Sequence, residues 1–296
     1  MLQETGEALM APMTDCFDSD GVRYRYLYCK AQGVPGRRRP PAILVHGFAQ
    51  SSSSWIGAMD LIAQERDVYA IDLVGHGGSA VPASPAPYSL RSMGEALLDF
   101  IDLVPGKPVV VGYSMGGRVA LSALLEAGPA AFAKKTRGLL LESAGMGPKT
   151  ESDRVAAAER DAATVRRLRE TSLRDFMTYW ENLPLFESQR SLPKRTRALI
   201  QAGRLANDAE ALARCVECAG QHRMPSYHET TEALRDLGLR GCSTLYLTGA
   251  KDEKYSRIAN DLHAAGIVQT RVAPKAGHNV HLEDPAAFAA CVHSVA

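Results

Sequence analysis

The sequence carries almost no surplus of charge: 34 Lys and Arg stand against 33 Asp and Glu, a formal net of +1. A chain so evenly balanced has no electrostatic footprint for nucleic acid or an anionic membrane surface, so neither is expected as a main partner. Long apolar runs are lacking as well. No segment approaches the roughly 20 residues of a membrane span, and MLQETGEALMAPMTDC at the start has no apolar core of signal-peptide length. A cytoplasmic location is the expectation. Cysteine is sparse and scattered, at Cys16, Cys29, Cys215, Cys218, Cys242 and Cys291, which reads as free thiols rather than a disulfide framework. Cys215 and Cys218 form a CxxC, but the stretch ALARCVECAG looks helical and no second Cys or His pair follows at zinc-finger spacing. Internal repeats and low-complexity tracts are also absent.

With 296 residues and 46% hydrophobic content, the chain can bury a large core in one or two domains. Short apolar runs rich in Val, Ile, Leu and Tyr predict strands at Tyr24–Cys29, Ala42–His46, Val68–Leu73, Pro108–Gly112, Gly138–Glu142 and Ser243–Thr248. Segments of helical periodicity lie between them. Ser89–Val104 opens on a serine, sets Leu90, Met93, Leu97, Phe100 and Ile101 on one face, and stops at Pro105-Gly106. Arg118–Ala127 and Pro285–Val295 read the same way. Strands alternating with helices imply an α/β fold, with a mostly parallel sheet covered on both faces. From about Pro148 to Leu237 the alternation stops and the text is helical and Arg-rich. Residues 148–237 are therefore expected to form an inserted helical cap between two core parts, 1–147 and 238–296. PGRRRPP (Pro35–Pro41) reads as a solvated loop before a buried strand.

GYSMG (Gly112–Gly116) fits the GxSxG pattern in its demanding context. An apolar strand runs into it and a helical pattern leaves it. A sharp strand-to-helix turn needs glycines where side chains would collide, and it lifts the serine oxygen above the sheet at a helix N-terminus. Ser114 is the candidate nucleophile. A serine hydroxyl needs an imidazole to take its proton, and the imidazole needs a carboxylate to fix its tautomer. Chain order places the acid before the histidine. Asp252 follows the strand STLYLTGA and His278 lies in PKAGHNVHLEDP, before the last helix. Asp261, Asp284 and His281 are their rivals, and Asp252 also has the position of a helix cap. The backbone N–H groups of Phe48, after the strand AILVHG, and of Met115 are the candidate oxyanion donors. The His46 side chain reads as structural, and Asp72–Gly77 as a glycine turn near the site mouth.

HGF, DLVGHGGS, GYSMGGR, TGAKDEKY and AGHNVHLEDP occur in that order, so nearly the whole chain resembles the α/β-hydrolase superfamily. Arg118 after the glycines, Trp180-Glu181-Asn182-Leu183-Pro184-Leu185-Phe186, Asp252-Glu253-Lys254-Tyr255 and Gly277-His278-Asn279-Val280-His281 narrow the likeness. Together they are similar to the 2-succinyl-6-hydroxy-2,4-cyclohexadiene-1-carboxylate synthase family of menaquinone biosynthesis. That resemblance implies a lyase that eliminates pyruvate without metal or cofactor, with Ser114, His278 and Asp252 removing a ring proton. It also implies a small anionic substrate held by Tyr113, Arg118, Trp180 and Arg204. A guanidinium can grip a carboxylate bidentately, which gives Arg118 a purpose. Where the family places a further arginine this chain has Ala157, with Arg154 and Arg160 a helical turn to either side as candidate substitutes. A serine hydrolase acting on a small acidic substrate, either a C–C bond hydrolase or a carboxylesterase, shares the same motifs and is the alternative. Oligomeric state is open at this stage.

Overall fold

The computed structural model describes residues 11–33 and 39–295; most of the PGRRRPP stretch lies outside them. Among the described residues, the expected apolar runs and two further segments pair into one sheet of eight strands. In chain order these are β1 (Met13–Ser19), β2 (Val22–Cys29), β3 (Ala42–Val45), β4 (Val68–Ile71), β5 (Val109–Tyr113), β6 (Gly138–Glu142), β7 (Ser243–Gly249) and β8 (Gln269–Ala273). Their spatial order is β1-β2-β4-β3-β5-β6-β7-β8. The first two junctions, β1–β2 and β2–β4, are antiparallel, and every later one is parallel.

Two strands, β1 and β8, were not among those expected, and both lie at sheet edges. An edge strand is paired on one side only and buries few side chains. Its text, such as QTRVA in β8, therefore lacks the apolar run that marks a central strand.

Helices α1 (Ile56–Ile62), α2 (Leu90–Leu103), α3 (Met115–Ala127) and α4 (Pro129–Lys135) run between the early strands. After β6 come α5 (Glu151–Glu170), α6 (Leu173–Glu181), α7 (Lys194–Leu205), α8 (Ala209–Ala219) and α9 (Tyr227–Leu239). The chain closes with α10 (Glu253–Ala264), α11 (Val280–Glu283) and α12 (Pro285–Ser294). Successive strand residues point to opposite faces. Ile43, Val45, Val110, Leu139, Leu141 and Tyr246 pack with α2, α3, α4, α9 and α10. Ala42, Leu44, Val109, Val111, Leu140, Leu245 and Leu247 pack with α1 and α12. Helix α2 begins where its serine predicts: Ser89 accepts a hydrogen bond from the Ser92 N–H, and the expected apolar stripe is buried.

Helices α5, α6 and α8 build a separate small core from Val165, Leu168, Phe176, Met177, Leu212 and Val216, seated on Ala49, with Leu205 of α7 packed against it. Helix α9 behaves differently. It packs against α3, α4 and β7, and its Leu234 and Leu237 join the main core. We therefore place the end of the cap before α9 rather than at Leu237. Among the described residues, no helix is long and apolar enough to cross a membrane.

Candidate active site

Strand β5 delivers Ser114 to the top of the sheet, and α3 begins at the next residue. Ser114 has φ 50° and ψ −105°, a left-handed backbone that non-glycine residues rarely adopt. The turn tightens enough that a Cβ on Gly116 would collide with the carbonyl oxygen of Val45. Only glycine lets α3 pack this close behind the serine.

His278 and Asp252 complete a hydrogen-bonded chain with Ser114. His278 Nε2 lies 3.2 Å from Ser114 Oγ, and His278 Nδ1 lies 2.7 Å from Asp252 Oδ2. Both partners are buried behind the serine. The rings of Tyr255, Tyr113 and Phe186 surround the imidazole, with centroids at 4.7, 5.3 and 5.9 Å. The rival residues are occupied elsewhere. Asp261 pairs with Lys149 at the surface, Asp284 caps α12, and His281 is held by buried Glu142.

The loop after β3 comes close to the serine. A Cβ on Gly47 would lie 3.5 Å from Ser114 Cβ and inside the ring of Tyr113, so glycine is what permits the approach. Phe48 and Met115 line one cleft together with Ser114. The Phe48 N–H has no protein partner among the described residues, and Met115 opens α3, where backbone N–H groups have no intrahelical acceptor. His46 and His76 brace this loop from below. His46 Nε2 accepts from the Leu73 N–H at 3.0 Å with Nδ1 2.7 Å from the Gly47 carbonyl; His76 accepts from the Ala49 N–H at 3.4 Å. Burial lowers the pKa of both, that of His76 to about 3. The Asp72–Gly77 turn is tied down by Asp72, whose carboxylate accepts from the N–H groups of Ser52 and Gly78.

The cleft above Ser114 has about 800 Å³ of space, counting its mouth. Tyr113, Arg118, Trp180 and Arg204 all line it. Arg118 sits on the first turn of α3; its Nε is buried without a hydrogen-bond partner among the described residues, and burial lowers its pKa. Arg204 reaches in from α7. It lies 3.1 Å from Glu181, donates to Gln189 at 3.3 Å, and its guanidinium is 5.1 Å from the centre of the Phe186 ring. Trp180 meets the edge of Phe48 at 5.1 Å and stacks on Phe176 at 5.8 Å.

The two candidate substitutes for an arginine at Ala157 do not enter this cleft. Arg154 donates to the carbonyls of His222 and Met224, at 2.6 and 2.8 Å. Arg160 is exposed and lines a neighbouring cleft that also contains Ala157. A shift of three residues turns a helical side chain by about 60°, enough to aim both away from the serine. Helix α5 instead contributes Asp161 and Thr164 to the cleft. Asp161 lies 2.7 Å from His222 Nδ1, and its negative charge favours the charged form of Arg118 against the effect of burial.

Three acidic residues at the site were not foreseen. Besides Asp161, Glu142 is fully buried: its main-chain carbonyl accepts from the Ser114 N–H at 2.9 Å, and its carboxylate accepts from the His281 N–H at 3.0 Å. Glu283 accepts from the Gly277 N–H at 2.8 Å and from the Ser188 hydroxyl at 3.0 Å, joining the histidine loop to the cap. A glutamate closing the apolar strand GLLLE was a signal for the first. Asp161 and Glu283 sit in ordinary polar helical text. The CxxC has a packing explanation: Cys215 lies 3.4 Å from the Met115 sulfur, and burial pushes its thiol up to about 12.

A family model described as the alpha/beta hydrolase family matches residues 42–291. The 2-succinyl-6-hydroxy-2,4-cyclohexadiene-1-carboxylate synthase of Enterobacter sp. (strain 638) is 31% identical over 266 residues, covering 89% of this chain and 93% of that protein. A Bacillus subtilis (strain 168) protein, provisionally given the same name, is 33% identical over 277 residues, covering 91% and 93%. The chain belongs to the alpha/beta hydrolase family and, within it, to this synthase family. Among solved structures, MenH from S. aureus superposes with a TM-score of 0.77 at 26% identity, covering 91% of this chain and 97% of that one. The synthase family thus spans both the sheet domain and the inserted helices.

Proposed function

We propose that the protein eliminates pyruvate from 2-succinyl-5-enolpyruvyl-6-hydroxy-3-cyclohexene-1-carboxylate, giving the 2-succinyl-6-hydroxy-2,4-cyclohexadiene-1-carboxylate of menaquinone biosynthesis. Its relatives carry the name of that product. The observation that carries the reading is the buried Arg118 in the same cleft as Ser114. A general esterase has no need of a buried guanidinium there, whereas a carboxylated substrate does.

The two formulae dictate the chemistry. A proton leaves C2, the C3–C4 double bond becomes the C2–C3 and C4–C5 diene, and the C5–O bond breaks to release enolpyruvate, which takes up a proton to become pyruvate. C2 lies beside the succinyl ketone, so negative charge develops on the ketone oxygen. In this reading the N–H groups of Phe48 and Met115 receive that oxygen. Ser114 Oγ removes the C2 proton while its own passes to His278 Nε2, and Asp252 holds the imidazole in the tautomer that accepts it. Ser114 acts as a relay base and is not acylated. Arg118 and Arg204 orient carboxylates, while Tyr113 and Trp180 shape the apolar walls around the ring.

The purified protein is to be offered the enolpyruvyl substrate and, in parallel, a neutral aryl ester. Rapid pyruvate release with feeble ester cleavage is the expected result. Fast ester cleavage without pyruvate release would instead assign a carboxylesterase.

A further inference from the structure

The proposed substrate carries three carboxylates, one each on the ring, the enolpyruvyl group and the succinyl arm. The cleft over Ser114 holds two cations, Arg118 and Arg204, but Asp161 stands near the first and Glu181 lies 3.1 Å from the second. These four side chains together bring no net positive charge. A trianion leaving water needs more compensation than that.

A second cleft adjoins the first and shares Gly145 and Gln221 with it. Among the described residues, its walls carry Lys149, Arg160, Lys254 and one acid, Asp153. Asp153 is engaged as part of the α5 cap, accepting from the Thr150 N–H at 3.0 Å. Lys149 is engaged by Asp261 at 3.0 Å. Arg160 and Lys254 form no ion pair among the described residues, and the Lys254 ammonium lies 5.0 Å from the Tyr255 ring centre. Arg160 comes from the cap helix α5, and Lys254 from the first turn of α10, two residues after Asp252.

We propose that this side cleft is the subsite for the succinyl carboxylate, held between Arg160 of the cap and Lys254 of the sheet domain. The inference rests on the substrate named above. C2 and the breaking C5–O bond must both sit over Ser114, so the ring and the enolpyruvyl group stay in the main cleft. The four-carbon succinyl arm is the group with the reach to pass between Gly145 and Gln221. Its carboxylate then bridges the two parts of the protein, which also selects substrates bearing that arm. Lys149, already paired, adds to the positive field without being a direct contact.

The test uses calorimetry with 2-succinylbenzoate, a stable aromatic dicarboxylate with the same arm, and with benzoate, which lacks it. The Arg160→Ala/Lys254→Ala double variant is expected to bind 2-succinylbenzoate about tenfold more weakly, the sum of two exposed charge contacts, and benzoate unchanged. Arg160→Lys/Lys254→Arg should retain most of the affinity. Unchanged affinity for 2-succinylbenzoate in the double alanine variant, an equal loss for benzoate, or no binding by the wild type would overturn the assignment. In turnover, the same double variant should raise KM by about tenfold and leave kcat within about a factor of two. A wild type that releases no pyruvate defeats the functional reading, while calorimetry still decides the subsite.

Discussion

One oxygen of Asp252 lies 2.7 Å from His278 Nδ1, while its other oxygen accepts the Tyr255 N–H at 3.2 Å. Helix cap and partner of the histidine are therefore one residue with two simultaneous roles. The first turn of α10 fixes the carboxylate, and the carboxylate fixes the imidazole. Asp252→Asn can still cap α10 but presents an amide to Nδ1, favouring the wrong tautomer. We expect kcat for pyruvate release to fall by about 10³–10⁴-fold, with circular dichroism unchanged. A loss under about tenfold would remove Asp252 from the proton relay.

Ser114 separates chemistry from backbone strain. Ser114→Ala should abolish elimination while leaving the fold intact, because the methyl group fits where Cβ already lies. Ser114→Gly should be equally inactive but more stable, since glycine adopts φ 50° without penalty. Strain of this kind costs about 1–3 kcal/mol, partly offset by the extra freedom of glycine in the unfolded chain, so a gain of about 1 kcal/mol over Ser114→Ala is expected in denaturant unfolding. Near-normal turnover in either variant would sink the serine's role.

Arg118→Ala should lower kcat/KM for the carboxylated substrate by about 10–100-fold, the worth of a charge-assisted contact in a partly desolvated site. Cleavage of a neutral ester, if measurable, should hardly change. Arg118→Lys should recover only part of the loss, because an ammonium cannot reproduce a bidentate fork. Equal kcat/KM in wild type and alanine variant would leave the arginine without function.

His46 and His76 predict a pH dependence of stability rather than of activity. Both are buried, accept a main-chain N–H through Nε2, and have pKa values lowered by desolvation. The unfolded chain protonates its histidines near pH 6.5, whereas folded His76 resists until about pH 3. Between these values the unfolded state binds more protons, so stability falls as pH falls. His76 alone contributes a slope of about 1.4 kcal/mol per pH unit in that window. Urea unfolding at pH 7, 6, 5 and 4 should show the decline, and His76→Asn should flatten it.

Much of this protein is legible without coordinates. Central strands such as Ala42–Val45 and Gly138–Glu142 announce themselves because both faces are buried and every residue but the closing Glu142 is apolar. The tight strand-to-helix turn at Ser114 is legible because its glycines leave no alternative, and the chain order of the candidate residues Ser114, Asp252 and His278 follows from the way such sheets deliver loops to one edge. The strands β1 and β8 were hidden, since an edge asks little of side chains. The inserted helices were legible as helix but not as geometry: no periodicity says that Leu234 and Leu237 of α9 face the main core, or that α8 turns Cys215 to that core and Leu212 and Val216 to the smaller one.

The fold class, the serine turn and the candidate acid and base could be read from residues alone, because each rests on local periodicity, a short local motif or chain order. Tertiary structure decided what no spacing could: that Arg154 is spent on two backbone carbonyls, that Asp161 rather than a cation faces the cleft from α5, and that Arg160 and Lys254, far apart in sequence, line one side cleft. A helical face is ambiguous until its neighbours are known, since a rotation of about 60° moves a charge from one cleft to the next. The electrostatics of the site were set by that packing.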